Sequence, residues 1–258
     1  MILRKVYKLI ILSKVFLSHL FFNKKIKVVD QNLILISQIQ RSGGSLLVQL
    51  FDNHEEIHAY PHELVFSNPK WNWDKELCFS TIKMNTHLKD MFYNRNFYKL
   101  SESEPEFLTN NYFNFNPFLE KKIYKKLLNY NNNDLRLKFN SYFTAFFNSF
   151  LNYSNTYSNK KYVASFLPRF IMFEKNAEIF FETYPKGFLI SILRDPKTWY
   201  LSAIKHSKAY RDDPKDSLDK WLNSVKMSIK LKQKYNNIIL VSFKSLILNT
   251  EETMKYIC

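Results

Sequence analysis

The sequence predicts an α/β fold: a single domain with a mostly parallel central sheet flanked by helices and a helical insertion in its middle. Three observations predict it. The apolar run Leu33 to Ser37 passes through Gln38–Gly44 into the helical pattern Ser45 to Phe51. Phe188 to Leu193 runs into Arg194-Asp195-Pro196, and Ile238 to Phe243 follows a long amphipathic stretch. Short, wholly apolar runs alternating with helical periods are the pattern of strands buried on both faces and joined by crossover helices.

Taken in order, residues 1–30 form a basic amphipathic N-terminal segment. Arg4, Lys5, Lys8, Lys14, Lys24, Lys25 and Lys27 surround the apolar stretch Val6 to Phe22, with no acid before Asp30. Lys8, Lys14 and His19 interrupt that stretch, so it is not a membrane span, which needs about 20 predominantly apolar residues. No small-residue cleavage site follows it, so it is a poor signal peptide. It reads as a helix packed on the domain; an interfacial helix in peripheral membrane contact is the alternative.

Residues 31–258 form the domain. Within it, residues 86–160 read as a helical insertion rich in Asn, Phe and Tyr. Leu119, Ile123 and Leu127 make one apolar stripe, and Leu135, Phe139, Tyr142, Phe143, Phe146, Phe147, Phe150 and Leu151 another. Pro168 is placed to start a helix carrying Ile171, Ala177, Phe180 and Tyr184. Asp195 reads as a helix N-cap with Pro196 at the first helical position. Leu218, Trp221, Leu222, Val225 and Ile229 mark the apolar face of a further helix, and Asn249 with Glu252 reads as a capping box.

Composition narrows the function classes. An aromatic share of 17% and 46% hydrophobic residues favour a collapsed core over disorder. Cys78 and Cys258 are the two cysteines, too few for a disulfide framework or a cysteine metal cluster, which fits a reducing, cytoplasmic location. The net charge of +15 is compatible with an anionic partner. An excess of Lys, Asn, Ile, Phe and Tyr also follows from A+T-rich coding, and no nucleic-acid partner is expected. Glycine is more informative: three occur where average usage gives roughly 18, and two of the three are the adjacent Gly43 and Gly44. A glycine pair kept under such suppression marks a tight turn or a close ligand approach.

Ligands of open α/β sheets bind beyond the carboxyl ends of the strands. Both the Gln40-Arg41-Ser42-Gly43-Gly44-Ser45 loop and Arg194 follow such ends. A loop of backbone N–H groups entering a helix is an anion site, here with two hydroxyls and a fixed cation. It lacks the lysine that a nucleotide-triphosphate loop needs, since Ser45 follows Gly44.

The segment LISQIQRSGGSLLVQLFDNHEEIHAYPHEL resembles the 5′-phosphosulfate-binding segment of the sulfotransferase family, usually a strand, Pro-Arg-Ser-Gly-Thr-Thr and a leucine-rich helix. ILRDPKTWYLSAIKHS is similar to the family's 3′-phosphate signature, with Ser202 eight residues after Arg194. IILVSFKSLILNTEETMKYIC resembles its C-terminal strand, turn and helix. Gln40 stands where the family has Pro, Gly44 where it has the first Thr, and Phe243-Lys244-Ser245 where an aromatic and acidic pair is common. The chain stops at Cys258 inside a helix the family continues, which reads as truncation or as an inactive relative.

The resemblance implies a P-loop-like phosphosulfate-binding loop and metal-free transfer of a sulfuryl group from 3′-phosphoadenosine 5′-phosphosulfate (PAPS) to a hydroxyl or amine, with carbohydrate the expected acceptor. It implies Arg41, Ser42, Gly43, Gly44, Ser45 and Leu46 around the 5′-phosphosulfate, with Arg41 also stabilising charge in the reaction. Arg194 and Ser202 are implied at the 3′-phosphate. Glu63 is the expected catalytic base and His62 its nearest rival, with His58 and His206 behind. Two readings from other classes stand beside this one: a P-loop nucleotide kinase, and a non-catalytic anion or membrane-surface binder.

Overall fold

Short apolar runs form strands where helices can cover both of their faces, and the described residues hold five strands, of which the runs in Asn32–Ile36, Phe188–Leu193 and Ile238–Ser242 are the most apolar. In the computed structural model, which describes residues 13, 17, 25–64, 116–128, 134–150 and 159–258, the strands are β1 (Asn32–Ile36), β2 (Ile57–Glu63), β3 (Tyr162–Phe166), β4 (Phe188–Leu193) and β5 (Ile238–Ser242). The helices are α1 (Gly44–Leu50), α2 (Pro117–Leu128), α3 (Leu135–Ser149), α4 (Glu174–Thr183), α5 (Pro196–His206), α6 (Lys208–Asp212), α7 (Pro214–Lys234), α8 (Phe243–Leu248) and α9 (Thr250–Ile257). The chain divides into two compact units, Met1–Asp30 with Ile82–Thr156, and Gln31–Thr81 with Tyr157–Cys258.

The second unit is a single α/β domain. Its strands are all parallel in the order β2-β3-β1-β4-β5, so β1 is central and the two anion motifs follow neighbouring strands. Alternate residues divide the core. Ile34, Ile36, Ala164, Phe166, Ile190 and Ile192 pack with Leu47 and Val48 of α1, Phe51 just after it and Leu246 of α8, and Met254 and Ile257 of α9 join them. On the opposite face, Ser191 Oγ lies 2.9 Å from Ser228 Oγ of α7, and Ser37 Oγ accepts from the Ile171 amide at 3.0 Å.

Several details differ from expectation. Strands β2 and β3 were not anticipated, because β2 contains Pro61 and β3 is only YVASF. Proline is tolerated in β2 because it is an edge strand. The helix expected from Pro168 is a 3₁₀ turn, Phe170–Met172, followed by α4 from Glu174. Arg169 in the left-handed region, φ 68°, breaks the register between them. Asp195 does cap α5, accepting from Thr198 N at 3.0 Å. Asn249 caps α9 without a side-chain bond, so the capping box is not made.

The apolar face read for α7 is also corrected. Ser217, Ser224, Ser228 and Leu231 are its buried residues, while Leu218, Leu222 and Ile229 are exposed. Small serines let the helix approach the sheet closely and bond to Ser191, which the larger side chains would prevent.

In the first unit, Asn116 Oδ1 accepts from Phe118 N and Leu119 N to start α2, and Asp134 caps α3 through Leu137 N. Leu119 and Ile123 are buried, as are Phe139, Tyr142, Phe143, Phe146 and Phe147. The segment before Asp30 is held by side chains: Val29 N donates to Thr144 Oγ1 at 2.9 Å, and Asn148 brackets Lys27 from both its amide and its carbonyl. Residues 25–31 carry no helix; most of the basic segment, along with Trp71, Trp73 and Cys78, lies outside the described residues. No helix among the described residues is long and apolar enough to cross a membrane.

Candidate functional site

The loop after β1 is held by contacts on every side before it reaches α1. Ser37 N donates to Ile190 O and Gln38 O accepts from Arg169 N. Ile39 N donates to Ser224 Oγ of α7 at 3.0 Å. Gln40 receives most: its carbonyl accepts from Trp199 Nε1 at 2.7 Å, and its Oε1 accepts from Arg169 Nε at 2.5 Å and from Tyr210 OH at 3.2 Å. Arg169 Nη2 closes the ring by donating to Tyr210 OH at 3.0 Å.

The chain then turns sharply. Arg41 and Gly43 both lie in the left-handed region, with φ 69° and 106°. For Gly43 this is conformationally free, whereas for Arg41 it costs on the order of 1 kcal/mol and the surrounding bonds must hold it. A Cβ at Gly43 would stand 2.7 Å from the Phe243 ring, and one at Gly44 would stand 2.5 Å from Gln38 Nε2. The two glycines are therefore hemmed from opposite sides, by residues following β5 and by residues following β1.

Two cations meet at this turn. Arg41 Nε donates to Ser202 Oγ of α5 at 3.3 Å, and Arg194 Nη1 donates to the Arg41 carbonyl at 2.7 Å. Arg194 lies 4.3 Å over the Phe243 ring, and its own carbonyl accepts from Trp221 Nε1 at 3.0 Å. Burial first, and then the neighbouring Arg41 charge, push Arg194 below the usual arginine range, while Asp195 acts against them. Arginine stays protonated regardless, so this turn brings together two guanidinium charges whose repulsion an anion would relieve.

Two polar atoms of this loop are buried without partners. Ser42 is 1% exposed and its Oγ has no hydrogen-bond partner, and Gln38 Oε1 is likewise buried without one. Ser45 and Leu46, on the first turn of α1, are exposed. No group of His, Cys, Asp and Glu that could hold a metal occurs among the described residues.

No family model matches the sequence, and no curated protein matches it. Among solved structures, the chain is similar to the sulfotransferase domain from the curacin biosynthetic pathway, at 13% identity over 90% of this chain and 74% of that one, with a TM-score of 0.50. The fold is that of a sulfotransferase domain. A sulfotransferase domain from the Synechococcus olefin synthase (14% identity, 91% and 76% covered, TM-score 0.45) and the Mycobacterium avium sulfotransferase STF9 (9%, 94% and 67%, 0.46) are similar at lower scores.

Within this sulfotransferase fold, the expected residues gather at the carboxyl edge of the sheet. Arg41 through Leu46 follow β1, and Arg194 and Ser202 follow β4 beside it. Glu63 ends β2, two strands from β1, and pairs in register with Phe166 of β3. Phe166 Cδ2 is in turn 3.5 Å from the Cβ position of Gly44, so one aromatic residue separates Glu63's strand from the loop. The pairing of β2 with β3 shifts between Ala59 and Glu63, an irregularity of the kind that re-aims a side chain at a strand end.

His62 precedes Glu63 on β2. His58 is 1% exposed, and burial followed by the Lys160 charge lowers its pKa to about 4, so it is a neutral residue of the core. His206 is exposed at the end of α5. Reading the sequence missed Gln38, Arg169, Tyr210 and Phe243. Gln38 and Gln40 carried the available signal, being polar residues beside a buried strand.

Proposed function

We propose that the protein is a sulfotransferase that transfers a sulfuryl group from PAPS to a hydroxyl or amine of an acceptor, with carbohydrate as the acceptor class. One observation carries the reading: two loops more than 150 residues apart in sequence converge through the Arg41–Ser202 and Arg194–Arg41 hydrogen bonds. The sulfotransferase fold, the sequence resemblance and the partnerless Ser42 hydroxyl support it.

PAPS supplies an activated sulfuryl group, whose S–O bond to the phosphate breaks as a bond to the acceptor oxygen forms. As in phosphoryl transfer, charge spreads over equatorial oxygens, so positioning and fixed cations contribute most of the catalysis. Arg41 spends Nε on Ser202 and keeps two NH₂ groups for an anion. Ser42 and Ser45 add hydroxyl donors to the loop, and Arg194 with Ser202 holds the 3′-phosphate. Glu63 takes the acceptor's proton. Strands are about 4.8 Å apart, so Glu63 at the end of β2 stands roughly 10 Å across the sheet from the loop's strand, with Phe166 of β3 between them, and the acceptor would lie above that edge.

Calorimetric titration of the full chain with 3′-phosphoadenosine 5′-phosphate, the product nucleotide, tests both anion positions without requiring the acceptor. Saturable binding that weakens with added salt is expected. Absence of binding overturns the reading.

A further inference from the structure

Helix α7 buries Ser217, Ser224, Ser228 and Leu231 and leaves Leu218, Leu222 and Ile229 in solvent at 40%, 40% and 45% exposure. With the half-buried Val225 these residues are spaced four, three and four apart, the period of a helix-packing seam rather than of scattered surface residues. At 3.6 residues per turn the stripe lies roughly 110° round the helix from the buried serines and runs about 16 Å along it. It is on the flank away from α4, whose Glu174 and Glu178 pair with Lys230 and Lys234 on the other side.

The charges beside the stripe say what covers it. Asp219 and Lys226 border it on its solvent side, one heptad apart, and neither makes an ion pair among the described residues, whereas Asp216, Lys220, Lys230 and Lys234 all do. A parallel second helix would set Asp219 against Pro214 and Lys226 against Trp221, leaving both charges unmatched. An antiparallel one, turned about a two-fold axis between Asn223 and Ser224, sets Leu218 against Ile229, Leu222 against Val225 and Asp219 against Lys226, each contact made twice. It also brings the end of α7 that holds Asp216 and Asp219 toward the end that holds Lys226, Lys230, Lys232 and Lys234 and no acid. The helix is already fixed from behind, where Trp221 Nε1 donates to Arg194 O and Ser224 Oγ accepts from Ile39 N, so docking on it orders little that is loose.

We propose that this face of α7 is a self-association surface whose occupant is the α7 of a second copy of the chain, packed antiparallel about a two-fold axis. The pattern is self-complementary, as such an axis requires. Four apolar residues a side make an interface at the small end of the specific range, so the dimer is a weak one, with a Kd on the order of micromolar. The inference stands independently of the sulfotransferase reading.

Sedimentation equilibrium of the full chain over about 1–200 μM is the test, and a reversible monomer–dimer equilibrium is expected. Leu222→Lys should stay monomeric throughout that range, with a melting temperature near that of wild type at low concentration because the position is exposed. Asp219→Lys and Lys226→Asp should each weaken the dimer roughly tenfold, since each turns two attractive contacts into two repulsive ones. The two single variants mixed should associate about as tightly as wild type, because each supplies the charge the other lacks, an outcome that only the antiparallel arrangement gives. A wild-type chain that is monomeric up to about 200 μM, a dimer that Leu222→Lys leaves intact, or a mixture no tighter than the single variants would overturn the proposal. A monomeric chain that instead co-sediments with phosphatidylserine–phosphatidylcholine vesicles, and loses them in Leu222→Lys, would overturn it in favour of a lipid surface.

Discussion

Arg41 carries its guanidinium on a backbone that a non-glycine residue seldom adopts, and that combination makes strain and function separable. Arg41→Ala keeps the strain and loses the cation; Arg41→Gly loses both. Both should lower turnover by roughly two to three orders of magnitude, as for a lost oxyanion donor. In urea denaturation Arg41→Gly should be about 1 kcal/mol more stable than Arg41→Ala. Turnover within a few-fold of wild type in either variant would remove Arg41 from the mechanism. Arg194→Ala and Ser202→Ala should weaken binding of 3′-phosphoadenosine 5′-phosphate more than that of adenosine 5′-phosphate, with the larger loss at Arg194 because its bonds are charged. Equal losses for both nucleotides would move the 3′-phosphate elsewhere. Glu63→Gln should leave nucleotide binding intact while transfer falls about 10²- to 10⁴-fold and the acid limb of the rate profile disappears. Persistence of that limb in Glu63→Gln and its loss in His62→Ala would make His62 the base.

At the scale of elements, the loop between β1 and α1 owes its shape to three segments it meets only in the folded state. Trp199 of α5, Tyr210 of α6 and Arg169 of the turn after β3 all bond to Gln40. Gln40 stands where proline is usual in the resembling family, so a rigid ring is exchanged for a side-chain network. Arg169→Met removes the charged donor to Gln40 and should cost about 1.5–3 kcal/mol in denaturant unfolding. It should also weaken nucleotide binding, because Arg41 follows directly. A variant whose stability and affinity match wild type would show that the turn holds itself. The helices nearest this loop were legible from their ends, since Asp195-Pro196 is a local signal whose donors and acceptors lie within one turn. The buried face of α7 was not. Leu218, Leu222 and Ile229 have the helical spacing of a core stripe, yet packing selected the small residues that allow Ser191 and Ser228 to meet.

Over the whole molecule, the buried His58 imidazole ties stability to pH. Its folded pKa of about 4 lies below the ordinary 6.5, so the unfolded chain binds the proton more readily. Stability is therefore complete above about pH 6.5 and falls as pH drops toward 4, by about 1.4 kcal/mol per unit and about 3 kcal/mol in all. The stability difference between wild type and His58→Phe, followed by urea denaturation from pH 7.5 to 4, should shift toward the variant over that window. A difference that stays constant with pH would place the titration elsewhere.

The division between sequence and tertiary structure runs along the range of the interactions. Strands β1, β4 and β5, the glycine turn and the capped start of α5 were legible because each is decided by side chains within a few residues of one another. So were Arg41, Arg194 and Ser202 as site candidates, since each follows or lies one helix beyond a readable strand end. Strands β2 and β3, the core role of His58, the clamp on Gln40 and the contact of Gln38 with Gly44 came only from the fold. Each depends on partners brought together by parallel pairing, where neighbours in space are separated by a crossover and carry no trace of one another in local pattern.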